Sequence, residues 1–378
     1  MLKSLGLFII GIAISLNALA QLQCGSERMQ HYLPLLKNKR VALVVNPSSR
    51  VGRTHLLDTL LALHIKVVKI FAPEHGFRGM AEAGAHISNG IDSKSGLPII
   101  SLYGKNYKPK GADLDKVDVV IFDIQDVGVR FYTYLSTLHY VMEACAENNV
   151  SLILLDRPNP NGMYVDGPVL NAAQRSFVGI HPIPLVHGMT LGELARMINE
   201  EGWLKNKIKC NLTVIACNSY THAMNYSLPV KPSPNLPDSI SVRLYPSLGL
   251  FEGTKVSVGR GTDFPFKAFG FPDFMAGNIE FTPRSTGGAT NPPYKNERCR
   301  AIDLSHDTSY FNLRYLIESY SYYPEKDSFF NSFFNNLAGN SILRNQIEQG
   351  LSEDSIRKTW KPDLDIFLAK RKKYLLYP

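Results

Sequence analysis

From Arg40 to about Ile215, this 378-residue chain alternates strand-length apolar runs with amphipathic stretches of helical period. No other feature restricts its fold more. Neighbouring parallel strands need a long crossover, usually a helix, so regular strand–helix alternation specifies a mainly parallel sheet covered on both faces. The strand-like runs are Arg40–Asn46, Lys66–Ala72, Leu97–Leu102, Val117–Asp123 and Ser151–Asp156. Helical period falls on Thr54–Leu63, Phe131–Asn148 and Thr190–Glu201. The last of these opens with Thr190-Leu191-Gly192-Glu193, a capping box, which assigns Glu193 to starting a helix. After about Lys207 the helical period fades, and Pro, Gly and aromatic residues rise through Lys231–Pro237 and Gly259-Arg260-Gly261-Thr262. Helical stretches return at Leu313–Ser319 and Ser341–Gln349. The expectation is an α/β domain over residues 21–207 and a smaller α+β domain over 208–378, whose Pro/Gly loops close a cleft.

Residues 1–20 read as a signal peptide: Lys3, the apolar run Leu5–Leu16, then Ala18-Leu19-Ala20 before Gln21. The expectation is export, to the periplasm where the cell has an outer membrane. Cys24 comes soon after, but Gln21-Leu22-Gln23 is not the small-residue run of a lipidation site, so no lipid anchor is expected. No later stretch is long and apolar enough to span a bilayer. Lys and Arg number 41 against 33 Asp and Glu. That excess is unaccompanied by a basic run interleaved with aromatics, so no nucleic-acid partner is expected. The five cysteines are odd in number, widely spaced and contain no C-x-x-C, which supports neither a zinc site nor a dense disulfide framework. Cys145, on the apolar face of a helical pattern, reads as a buried thiol.

The turn after the first strand, Asn46–Gly52, carries neither dinucleotide-binding nor P-loop glycine spacing. G-x-S-x-G and H-E-x-x-H are also absent. No cofactor or metal is expected. The segments just past the strands are instead rich in carboxylates. Strand two runs into Pro73-Glu74-His75-Gly76-Phe77-Arg78, strand four into Asp123-Ile124-Gln125-Asp126, and strand five into Asp156-Arg157-Pro158-Asn159. In an open parallel sheet these ends share one rim, where ligands bind. Paired carboxylates are what glycosidic cleavage needs, one donating a proton and the other stabilising or attacking the sugar. Glu74 is the candidate acid, with Asp123 and Asp126 as candidate catalytic partners. Arg78, Arg130 and Arg157 either neutralise this cluster or grip an anionic substrate. Tyr103, Tyr132 and Tyr134 offer surfaces for stacking a sugar.

Several motifs resemble the exo-β-N-acetylmuramidase family of the NamZ type. They are Phe71–Gly79 with Ala83-Gly84, Ser101-Leu102-Tyr103-Gly104, Phe122–Gly128 with Arg130–Tyr134, and Leu155–Pro160. The likeness continues through Ser176–Gly179, His187-Gly188-Met189-Thr190, Pro232–Pro237, Phe251-Glu252-Gly253 and Gly259–Thr262, spanning roughly Lys39 to Phe269.

The resemblance implies a Rossmann-like domain bearing the active site, a C-terminal domain closing the cleft, and release of terminal N-acetylmuramic acid from the non-reducing end of peptidoglycan fragments. It places the catalytic glutamate at Glu74. It also implies substrate contacts among the matched rim positions Asp123, Gln125, Asp126, Arg130, Asp156, Arg157, His187 and Arg260; His75, Arg78, Asn159 and Asp166 complete the expected substrate-binding set. Asp166 stands where the family commonly has Glu, one methylene longer. Another muropeptide hydrolase, an amidase or esterase, and a non-catalytic peptidoglycan-binding protein remain the alternatives. The choice among retaining, inverting and substrate-assisted mechanisms stays open.

Overall fold

The structure, a computed structural model, describes residues 21–78 and 89–378. The expected signal peptide, Gly79 and Ala83-Gly84 lie outside these residues. Six strands and three helices build most of the first half. The strands are β1 (Val41–Val45), β2 (Val67–Ala72), β3 (Gly90–Ile91), β4 (Pro98–Ser101), β5 (Val119–Asp123) and β6 (Ser151–Leu155). The helices are α1 (Leu56–Ala62), α2 (Tyr134–Glu147) and α3 (Leu191–Glu200). A hairpin, β7 (Asp166–Val169) with β8 (Pro184–Val186), precedes α3, and β9 (Leu212–Ile215) comes after it.

The main sheet has the order β9-β6-β5-β1-β2-β4-β3, parallel throughout except for the short edge strand β3. From β1 the chain first builds outward through β2 and β4, then crosses to β5 on the other side. The strand order therefore reverses between β1 and β5. Strand register shows the expected period of two: Val41, Leu43 and Val45 face one apolar layer with Leu56, Leu57 and Leu60 of α1. Ala42 and Val44 face the opposite layer. The expected strands and helices are present with ends shifted by up to three residues. Strand β9 is one that the fading helical period past Lys207 conceals.

The second half contains α4 (Ser239–Leu248), a three-stranded antiparallel sheet of β10 (Ala268–Phe271), β11 (Ile279–Phe281) and β12 (Cys299–Asp303), and the helices α5 (Arg314–Tyr322), α6 (Ile342–Glu348) and α7 (Glu353–Arg371). It shares a core with the first half. Val242, Leu248, Phe251 and Phe269 pack in one continuous cluster with Val120, Phe122, Leu135 and Leu138. A single core of this kind fixes the angle between the halves. All five cysteines are buried free thiols.

Candidate active site

Glu74 sits on a tight turn that the sequence builds directly after β2. Pro73 ends the strand, and its carbonyl accepts the Gly76 amide at 3.0 Å. The third residue of the turn is left-handed, as in the type II form: His75 has φ of 69°, followed by Gly76 at 82°. A left-handed histidine costs backbone energy, a feature that clusters at functional sites. The turn holds Glu74 at 8 % exposure on the wall of a cavity of about 370 Å³. Thr133 Oγ1 donates to Glu74 Oε2 at 2.6 Å, and the Tyr134 hydroxyl lies 3.5 Å from the Glu74 carbonyl.

The cavity lies between the halves. His75, Tyr103, Tyr132, Thr133 and Phe177 line it from the first half; Ser233, Tyr245, Glu252, Arg260, Phe266 and Phe333 line it from the second. Tyr132 donates its hydroxyl to the Pro232 carbonyl at 2.7 Å, clamping the proline-rich loop into the wall. Phe177 stacks against Tyr107 with ring centroids 4.0 Å apart and lies 6.1 Å from Tyr103, forming an aromatic rim. Glu252 and Arg260 form an ion pair inside the cavity, and the Arg260 guanidinium lies over the Phe266 ring. Burial works against the charge of Arg260, but the Glu252 carboxylate more than offsets this, so Arg260 titrates above its ordinary value.

Glu252 is the cavity carboxylate that the strand-end pattern does not reveal. In sequence it is visible only as part of Phe251-Glu252-Gly253, far from the carboxylate-rich strand ends. Nothing local shows that the turn following α4 reaches across to Glu74.

The other expected residues are placed differently. Asp123 is fully buried and takes both arms of Arg157, at 2.6 and 2.9 Å, and neither residue lines this cavity. Asp126 is buried too: its Oδ1 accepts the Gly128 amide at 2.7 Å while Oδ2 has no hydrogen-bond partner among the described residues, and desolvation pushes its pKa up to about 7. Neither expected catalytic partner therefore shares the cavity with Glu74. The Gln125 side-chain amide donates to the carbonyls of Asp126 and Pro158.

Asp156 accepts from the Thr190 hydroxyl, the Gly192 amide and the Tyr377 hydroxyl, anchoring the start of α3; burial raises its pKa to about 6. The Thr190–Glu193 capping box is formed as expected. Asn159 braces the Met189 carbonyl and the Asn161 amide. His187 is buried, accepts the Met189 amide on Nδ1, and is held neutral by desolvation, which lowers its pKa to about 3.

Arg78 spends its guanidinium on Asp58 and Asp92, both at 2.9 Å. Arg130, 1 % exposed, donates to the carbonyls of Pro168, Ile183 and Leu337, and burial lowers its pKa to about 9. Asp166 pairs with Arg357 of α7 at 2.5 Å, so its shorter side chain serves the contact between the halves. Of the expected catalytic and substrate-binding residues, Glu74, His75 and Arg260 meet in the cavity.

A doubly wound α/β sheet capped by a second unit, with two glutamates and an arginine in the cleft between them, defines a class of protein suited to acid-assisted bond cleavage. The chain belongs to the exo-β-N-acetylmuramidase NamZ family: the model of the family's N-terminal domain matches residues 41–240 and that of its C-terminal domain residues 243–377. It is 39 % identical over 373 residues to the peptidoglycan β-N-acetylmuramidase NamZ of Bacillus subtilis strain 168, covering 92 % of this chain and 89 % of that one. Among solved structures, it resembles two DUF1343 family proteins of Bacteroides fragilis NCTC 9343. One is 49 % identical with a TM-score of 0.88, covering 95 % of this chain and 99 % of the other. The second is 28 % identical with a TM-score of 0.82, covering 94 % and 99 %.

Proposed function

We propose that this chain is an exported, exo-acting glycoside hydrolase that releases terminal N-acetylmuramic acid from the non-reducing end of peptidoglycan fragments. The observation that carries this reading is the placement of Glu74 in a cavity shared with Glu252 and Arg260. Glu74 donates a proton to the glycosidic oxygen, with the Thr133 hydroxyl fixing its rotamer. Glu252, the anionic partner of Arg260, faces the developing charge on the sugar. Among the described residues the hydrogen bond of the Arg260 guanidinium runs from Nη2 to Glu252, and its Nε and Nη1 meet the lactyl carboxylate of muramic acid. The aromatic rim of Tyr103 and Phe177 receives the leaving sugar. Export rests on the first twenty residues; in support, the Gln23 backbone already pairs with Asn218, so residues just past Gln21 belong to the folded body.

Two measurements test the proposal together. Purified protein should liberate free N-acetylmuramic acid from a muramic-acid-terminated disaccharide, and Glu74→Gln should lose about 10²–10⁴-fold in kcat on a chromogenic β-N-acetylmuramide. Release of lactate, acetate or peptide in place of the sugar would convert the reading to an esterase or amidase. Saturable glycan binding with no product would make the chain a binding protein.

A further inference from the structure

The active-site cavity opens on the β2–β4 side of the sheet. In doubly wound sheets the usual ligand crevice lies elsewhere, where strand order reverses. Here that point falls between β1 and β5, and a larger cavity of about 590 Å³ lies on the strand-end loops beside it. Its wall includes Ser48 and Arg50 from the loop after β1, Arg53 from the adjoining hairpin turn, Arg157 from the loop after β6, and Glu27 and Tyr226.

The arginines have capacity to spare. Arg157 is 7 % exposed; its Nε and Nη2 bind Asp123, Ser26 and the Arg50 carbonyl, while Nη1 has no hydrogen bond among the described residues. Arg50 makes one side-chain bond, from Nε to the Pro47 carbonyl at 3.2 Å, and Arg53 makes none among the described residues. Neither has a carboxylate within ion-pair distance among those residues. The wall also carries one carboxylate. Glu27 accepts the Cys24 amide on Oε2, and its Oε1 is unused by the described residues.

We propose that this crevice is a second binding site, separate from the glycosidase cavity, for a small zwitterion of the amino-acid or short-peptide class. Carboxylates of the ligand meet Arg50, Arg53 and Arg157. Its ammonium meets Glu27. A bare anion such as phosphate satisfies the arginines but is repelled by Glu27, and that contrast separates the two ligand chemistries.

Isothermal titration calorimetry of the full chain tests this with L-alanyl-D-glutamate, which has two carboxylates and one ammonium, and with inorganic phosphate at equal ionic strength. The dipeptide should bind saturably and more tightly than phosphate. Arg50→Ser/Arg53→Ser should weaken it by about tenfold or more, with turnover of the chromogenic muramide and Tm unchanged. Glu27→Gln should weaken the dipeptide and strengthen phosphate. No dipeptide binding, binding indifferent to the double substitution, or preference for phosphate in the unaltered chain would overturn the assignment. Loss of muramide hydrolysis in Glu74→Gln leaves this site untouched, so the two readings fail separately.

Discussion

Two stretches of the sheet's carboxyl edge look alike in sequence and behave differently in the fold. Strand β2 ends in Pro73-Glu74-His75, strand β5 in Asp123-Ile124-Gln125-Asp126; each is an apolar run followed by carboxylates. Over β2 the proline-rich loop and the turn after α4 stand off and leave a cavity against Glu74. Over β5, Arg157, Ser48 and Ser49 close down, and every arm of Asp123 is spent inside the protein. A carboxylate at a strand end is thus available for chemistry only when the chain covering it keeps its distance. The loop after β1 touches both stretches: Ser49 Oγ donates to the Asp123 carbonyl, and Asn46 Nδ2 donates to the Tyr134 hydroxyl, which in turn touches the Glu74 turn.

The contrast breaks most visibly if Glu74→Gln and Asp123→Asn do not separate. Glu74→Gln should remove about 10²–10⁴-fold of kcat and leave Tm nearly unchanged. Glu252→Gln should come next, with a loss of about 10²-fold or more in kcat at similar KM. Asp123→Asn strands a buried guanidinium and should cost about 3–5 kcal/mol in denaturant unfolding; its folded fraction should keep turning over muramide.

Asp126 sharpens the comparison through pH. Its folded carboxyl holds a proton up to about 7, whereas the ordinary value is 3.8. Between those values the native state binds more protons than the unfolded chain, so this group makes stability fall as pH rises through that window. Asp126→Asn should remove that fall, stabilising the protein by about 1–3 kcal/mol at pH 8 while having little effect near pH 4. Equal Tm differences at the two pH values would contradict it. The smallest effect belongs to the rim: Phe177→Ala should raise KM for the disaccharide severalfold, in line with about 1 kcal/mol of stacking, with kcat preserved.

Strands β1, β5 and β6 are legible in the sequence because a buried parallel strand needs an apolar run of the right length, while β2, broken by Lys69, and the partly exposed β4 are marked as much by the turn residues that follow them. Glu74 is legible because proline and glycine mark its turn. Asp156 is not separable from a catalytic group in the same way: its partners Thr190, Gly192 and Tyr377 are remote in sequence, and the capping role exists only once α3 and the C-terminus dock. The same holds for Asp166, whose partner Arg357 comes from α7, and for Arg130, whose carbonyl partners carry no sequence signature. Glu252 is hidden for the converse reason. It has no strand before it, and its relation to Glu74 is created by a turn packing across the shared core.

Arg130 has a bearing on how substrate enters. Its single cation is shared by carbonyls of both jaws, Pro168 and Ile183 on one side and Leu337 on the other. Gly339 has φ of +79°, and a side chain there would collide with the guanidinium, so the fit tolerates no bulk. Swinging the jaws apart forfeits the Leu337 bond at about 1.5–3 kcal/mol, before any apolar surface is wetted. Any opening of the mouth to admit a glycan therefore carries a fixed cost that contacts with the substrate have to meet.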